Sequence, residues 1–181
     1  MDPRTFLPPR TLPVALAPEP GTRAPELPVA IDGECPTVIT FLRHAGCPFA
    51  EATMRMLRVS ADRHRDVAWV AVSHASGDAT RRWCEAIGGC GRVHTVSDPS
   101  RRIYAAWGLG RTSLAHFMGR HSLGAVVAHA RRGIRNRHPS GTRWQSAGTF
   151  AVDTNSMVCW RHLPKHAGDL PDLDAAMEAL A

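Results

Sequence analysis

Apolar positions along residues 34–181 switch between two periods, and the switches mark the elements. Pro36 to Leu42 is a continuous, β-branched apolar run, the pattern of a buried strand. Pro48 to about His64 changes to helical spacing: Phe49, Ala52, Thr53, Met56, Leu57 and Val59 mark an apolar face, opposed by Glu51, Arg55, Arg58 and Arg63. Asp66 to Ser73 is a second continuous run, as expected in the middle of a parallel sheet. Gly77 to Ile87 predicts a helix closed by Gly88-Gly89, and Val93 to Val96 a short third strand. Ser97-Asp98-Pro99-Ser100 opens a further helix that runs through Ile103, Tyr104 and Trp107 and stops at Gly108, with Asp98 as its cap. Gly148 to Asp153 and Met157 to Trp160, around Thr154-Asn155-Ser156, predict a hairpin. Pro171 to Ala181, entered through Asp169-Leu170-Pro171-Asp172, predicts a closing helix.

The order β-α-β-α-β-α, then an insertion, then β-β-α predicts an α/β domain whose central mixed sheet is flanked by helices and whose early crossovers are right-handed. Two stretches stand apart from it. Residues 1–33 hold a proline-rich arm, with eight of the fourteen prolines in the first thirty residues and almost no periodicity, so an extended or disordered arm is expected before a domain spanning 34–181. Within that domain, 109–142 is a Gly- and Arg-rich insertion containing one amphipathic stretch, Leu123 to Ala130.

The chemistry concentrates where the first strand ends. In Phe41-Leu42-Arg43-His44-Ala45-Gly46-Cys47-Pro48-Phe49-Ala50 a strand gives way to a turn, a cysteine and a helix that begins on proline. Proline at the first helical position loses no hydrogen bond, which puts Cys47 at the N-cap. There free backbone N–H groups and the positive end of the helix dipole favour a thiolate, the form in which sulfur is a nucleophile. His44 is a candidate general base or cationic neighbour, with exposure on the turn as the alternative, and Arg43 is a candidate anion holder.

The same ten residues resemble the strand-turn-cysteine-helix motif of the peroxiredoxin-like (alkyl hydroperoxide reductase/thiol-specific antioxidant) branch of the thioredoxin-like superfamily. Ser97 to Leu109 resembles that superfamily's aspartate-proline helix ending in glycine, and Gly148 to Asp153 with Trp160-Arg161-His162 and Asp169-Leu170-Pro171 its C-terminal hairpin and last helix. The resemblance covers residues 34–181 and implies a thioredoxin-like fold with a peroxiredoxin-like insertion. It implies a thiol oxidoreductase in which Cys47 attacks a peroxide or disulfide and is restored by a thiol reductant. Four positions depart from the pattern. The family's threonine three residues before its reactive cysteine is His44, its proline four further back is Thr40, and its arginine before the hairpin glycine is Ala147. The second cysteine that many relatives carry three residues on is Ala50. Cys90 and Cys84 are then the candidate resolving thiols, Cys90 for its glycine-rich setting, with Cys35 or an external thiol as alternatives.

Composition narrows the rest. Five scattered cysteines without a C-x-x-C argue against a secreted disulfide framework. Neither a signal-like start nor a long apolar run is present, so a cytoplasmic protein with no membrane partner is expected. The net charge of +6 is carried by arginine, 21 of the 22 basic residues. With no basic stripe interleaved with aromatics, nucleic acid is not an expected partner, and Arg131 to His138 reads as a solvated loop. Cys159-x-x-His162-x-x-x-His166 has ligand types but no fourth ligand, so no metal and no cofactor is expected. Two functions stay open: the thiol oxidoreductase, acting on a small peroxide or disulfide, and a redox-neutral protein of the same fold that binds or tailors a small organic molecule in a biosynthetic pathway. A homodimer is compatible with either.

Overall fold

The first apolar run becomes the centre of the sheet. In the computed structural model, which describes residues 8–28, 34–113, 133–134, 137 and 140–181, β1 (Thr37–Phe41) is buried at every position. It pairs in parallel with β2 (Ala68–Ser73) on one side, from Thr37 opposite Ala68 to Phe41 opposite Val72, and β2 pairs in parallel with β3 (His94–Ser97). On its other side β1 runs antiparallel to β4 (Gly148–Val152), which pairs with β5 (Val158–His162), giving the order β3-β2-β1-β4-β5. The helices are α1 (Pro48–Arg63), α2 (Gly77–Ala86), α3 (Arg102–Ala106) and α4 (Leu173–Glu178).

Strand alternation divides the core in two. Val38, with Leu42 just past the strand, packs with Met54 and Leu57 of α1, Trp83 of α2 and Leu173 and Ala176 of α4. Ile39 and Phe41 face the other way, into Val70, Val72, Tyr104, Trp107 and Phe150. The Phe41 ring lies 5.1 Å from Tyr104 and 5.4 Å from Trp107, and Trp107 meets Phe150 at 4.9 Å. Such offset and edge contacts add to the apolar area removed from water. The Tyr104 hydroxyl reaches the carbonyls of Leu42 (2.6 Å) and Val72 (2.7 Å), tying together the chain at the C-terminal ends of β1 and β2.

Three expectations are corrected in detail. On α1, Val59, expected on the apolar face, is half exposed, whereas Glu51, expected on the polar face, is only 1% exposed. The carboxylate is buried because Arg55 and Arg137 meet it at 2.6 and 3.4 Å, and Arg137 belongs to a segment that helical periodicity does not see. For the same reason Arg137 is not simply solvated, although most of the Arg131 to His138 cluster lies outside the described residues, as does Leu123 to Ala130. Third, α3 starts later than the Ser97–Ser100 signal, at Arg102. The Asp98 carboxylate accepts from the backbone N–H groups of Arg102, Ile103 and Tyr104, at 3.2, 2.8 and 3.2 Å, so the cap is as expected while the turn before the helix is longer.

The described part of the arm lies against the domain. Ala15 donates to the Ala105 carbonyl, and residues 21–24 exchange hydrogen bonds with Ser156 and Val158 at the start of β5. The Arg161 side chain holds the carbonyls of Ala17 and Pro18 and the Glu19 carboxylate. At Gly108 a Cβ would stand 2.3 Å from Ala17, so the arm's path requires glycine there.

Because the buried Asp98 carboxylate satisfies several donors at once, Asp98→Ala is expected to cost about 2 kcal/mol of stability. Denaturant unfolding checks this, and an unchanged midpoint contradicts the capping role.

Candidate active site around Cys47

After Phe41 the chain keeps pairing for one residue, with Leu42 N–H donating to the Val72 carbonyl, and then turns through Gly46, whose φ is +95°. The Cys47 N–H donates to His44 O, and the Cys47 carbonyl receives the first helical bond, from Glu51 N–H at 3.0 Å. Cys47 is therefore the N-cap of α1, with extended backbone angles and Pro48 following it. Its thiol is free, makes no capping hydrogen bond, and the residue is 3% exposed.

The charged neighbours of that sulfur come from the turn and from a segment that crosses it. Arg43 is 6% exposed and donates from Nη2 to the Arg143 carbonyl at 3.0 Å. Burial lowers its guanidinium below the ordinary range, the Cys47 sulfur opposes that as an anionic partner, and the Arg143 cation adds to it. The group nonetheless keeps its charge at neutral pH. His44 does not point into solvent: it is 2% exposed, with Nδ1 3.2 Å from the Ala45 carbonyl. Burial, then the Arg43 charge, hold it down at about 3. At neutral pH it is an uncharged imidazole and a weak base, so the expected cationic role does not fall to it.

Sequence reasoning missed His74. It follows β2 where the parallel strands end, the edge at which sites gather in such sheets, and that position was the available signal. It is 5% exposed, packs edge-on to Tyr104 and meets Thr142 through Nε2 at 3.1 Å, while its Nδ1 has no hydrogen-bond partner among the described residues. Burial above all holds it at about 4.

Cys84 and Cys90 are bonded to each other, with Cα atoms 5.5 Å apart across the glycine-rich bend, so neither is a free thiol for Cys47. Arg58 of α1 holds that bend by the carbonyls of Ile87, Gly88 and Gly89. Eleven residues of helix separate Arg58 from Cys47, about 16 Å along the axis. Cys35 and Cys159 are free and half-buried. His162 turns toward Asp169, 3.7 Å away, and among the described residues no group of three His, Cys, Asp or Glu stands where it could hold a metal. Beside the turn lies a cavity of about 30 Å³, lined by Thr40, Arg43, Phe49, Ala147 and Thr149 among others, where the Thr40 and Thr149 hydroxyls are hydrogen-bonded at 3.2 Å. That is room for a water molecule or hydrogen peroxide.

Residues 56–166, more than half of the chain, match the AhpC/TSA antioxidant enzyme family. The chain belongs to the AhpC/TSA antioxidant enzyme family. A search of curated protein sequences finds no match. Among solved structures, a peroxiredoxin-like protein from Aquifex aeolicus is similar at 17% identity and a TM-score of 0.64, over 92% of this chain and 88% of that one. A thiol peroxidase from Chromobacterium violaceum is similar at 13% identity and 0.65, over 93% and 89%. A reduced 2-Cys peroxiredoxin from Plasmodium vivax is similar at 14% and 0.51, over 81% and 76%. These likenesses identify the fold as the thioredoxin-like fold of peroxiredoxins, and family membership makes the chain a thiol-based oxidoreductase of that type.

The match begins at Met56, beyond Cys47 in the chain. His44 is a buried neutral ring, and Ala147 lines the cavity beside the turn. The cation stands instead on Arg43, with Arg143 close by.

Two imidazoles buried in neutral form make acid stability the readout of this arrangement. Their folded values lie below 6.5, so between pH 6.5 and about 4 the unfolded chain binds protons that the native protein refuses. Stability is full above pH 6.5 and falls with acid by about 1.4 kcal/mol per pH unit for each imidazole. His44→Gln is expected to flatten the fall by one proton's worth, as measured by urea unfolding from pH 7 to 4.5. An unchanged slope contradicts burial of a neutral His44.

Proposed function

We propose that the chain is a thiol peroxidase in which Cys47 is the attacking sulfur. The Cys47 thiolate attacks the terminal oxygen of a hydroperoxide. The O–O bond breaks, the sulfur becomes a sulfenic acid, and the alcohol or water leaves with the other oxygen and a proton. The observation that carries this reading is the pairing, in one buried turn, of a free N-cap cysteine with the buried Arg43 guanidinium. A fixed cation in a water-poor site stabilises charge that develops during O–O cleavage. His44, uncharged, shapes the turn rather than moving the proton.

The size of the cavity beside the turn favours a peroxide over the small organic molecule of the redox-neutral reading. Its roughly 30 Å³ is an order of magnitude below ordinary ligand pockets. A larger groove of about 410 Å³ lies between α1 and α4, lined by Met56, Val59 and Leu173, and does not include the turn.

With Cys84 and Cys90 engaged with each other, and their bend some three helix turns from Cys47, we assign the reduction of the sulfenic acid to an external thiol. Such a cycle suits a cytoplasmic protein with access to thiol reductants. Among the described residues no helix is long and apolar enough to cross a membrane. Self-association would leave the cycle unchanged, since the sulfur and its cation come from one chain.

The fully reduced protein, given one equivalent of hydrogen peroxide and a sulfenic-acid trap, is expected to carry the adduct on Cys47 alone and to lose it in Cys47→Ser. Without the trap, an added monothiol is expected to appear in a mixed disulfide on Cys47. A Cys47–Cys84 or Cys47–Cys90 disulfide in peptide maps replaces the external thiol with an internal one. A Cys47 that oxidises no faster than free cysteine removes the peroxidase reading.

A further inference from the structure

The bend that follows α2 is held by several contacts besides its disulfide. Gly88, Gly89 and Gly91 turn the chain at φ +92°, +87° and +57°. The Gly89 N–H donates to the Cys84 carbonyl at 2.7 Å, and the Val93 N–H to the Cys90 carbonyl at 3.1 Å. Arg58 Nη1 reaches the carbonyls of Ile87, Gly88 and Gly89 at 3.3, 2.9 and 2.8 Å. The stem of Arg58 lies against Gly91, where a Cβ would stand 3.4 Å from Cγ. These contacts by themselves return Cys90 to the end of α2. The Cys84–Cys90 bond joins cysteines only six positions apart, and so short a loop constrains the unfolded chain less than a long one does. As a staple the bond is largely redundant.

We propose that Cys84–Cys90 is a second redox centre of this chain, a disulfide that exchanges with external thiols through Cys90, independently of Cys47, with Arg58 favouring its closed form. The two sulfurs differ in access. Cys84 is 7% exposed and belongs to the core cluster of Trp83 and Ile87, whereas Cys90 is half-buried beyond the end of the helix. Exchange requires that an incoming thiolate reach a sulfur. A small external thiolate therefore attacks Cys90 Sγ, the Cys84–Cys90 bond breaks, and its electron pair leaves on Cys84 Sγ, which takes up a proton. A second external thiolate attacks the external sulfur of the mixed disulfide, and the Cys90 sulfur leaves and is protonated in turn. Two external thiols are thereby oxidised to one disulfide while the protein disulfide is reduced to two thiols. In the reverse direction the external disulfide is the oxidant. Closure is favoured because the glycine bend and the Arg58 guanidinium keep the two thiols close, at a high effective concentration.

The test uses the whole chain carrying Cys47→Ser, so that no outcome depends on the peroxidase reading. The protein is equilibrated at neutral pH with mixtures of reduced and oxidised glutathione, quenched with an alkylating agent and peptide-mapped, while circular dichroism follows the fold. Cys84 and Cys90 are expected to open and close together, reversibly, in the folded protein. Adding Arg58→Ala is expected to shift the equilibrium about tenfold toward the dithiol, the scale of charge-assisted hydrogen bonds lost from the closed bend. In single variants of the pair, oxidised glutathione is expected to cap Cys90 in Cys84→Ser about tenfold faster than it caps Cys84 in Cys90→Ser, following access to the sulfur. A disulfide that opens only when denaturant unfolds the chain, or a reduced native protein that does not close again, overturns the proposal. Equal capping of the two sulfurs overturns Cys90 as the point of attack, and an unmoved equilibrium in Arg58→Ala overturns the part given to Arg58.

Discussion

A guanidinium buried at the end of the central strand sets the terms for everything around it. Arg43 leaves β1 where three parallel strands end, in a position with almost no access to water. Burying such a charge is costly unless partners replace its hydration. The Arg143 carbonyl is one such partner, and the nearby Cys47 favours the charged guanidinium. Burial, and then that cation, keep His44 neutral, and the Arg143 carbonyl reaches the guanidinium from a distant part of the chain.

The family frame and the local chemistry come from different parts of the chain. Sheet order, helix placement and the capped α3 are those of a peroxiredoxin-type thioredoxin-like protein, and more than half of the sequence matches that family. The cysteine's turn has its own solution. Ala147 and Arg43 both line a small cavity beside the turn, with the buried guanidinium standing at the end of β1. A fold does not fix a site.

Much of this was legible from residue order. The apolar run of β1, the Pro48 start of α1, the Asp98 cap and the hairpin turn each rest on local chemistry, and each appears within a few residues of its expected place. Cys47 at the N-cap was legible for the same reason. What periodicity could not show were the long-range partners. Glu51 reads as a solvent residue because its pattern says nothing of Arg137, 86 positions away. His44 reads as exposed or cationic because a local pattern says nothing of its burial. Cys84 and Cys90 read as two separate thiols because nothing in a one-dimensional pattern shows that the glycine bend folds one back onto the other.

The central claim is that the buried Arg43 charge, rather than an arginine on the hairpin, activates peroxide at Cys47. The most direct measurement is the second-order rate constant for hydrogen peroxide oxidation of Cys47 in wild type, Arg43→Ala and Arg43→Lys, each shown to be folded. The account predicts a loss of about 10²–10³-fold in Arg43→Ala, the size of a lost charge-stabilising donor, with partial recovery in Arg43→Lys. Oxidation of Arg43→Ala at the wild-type rate would contradict it.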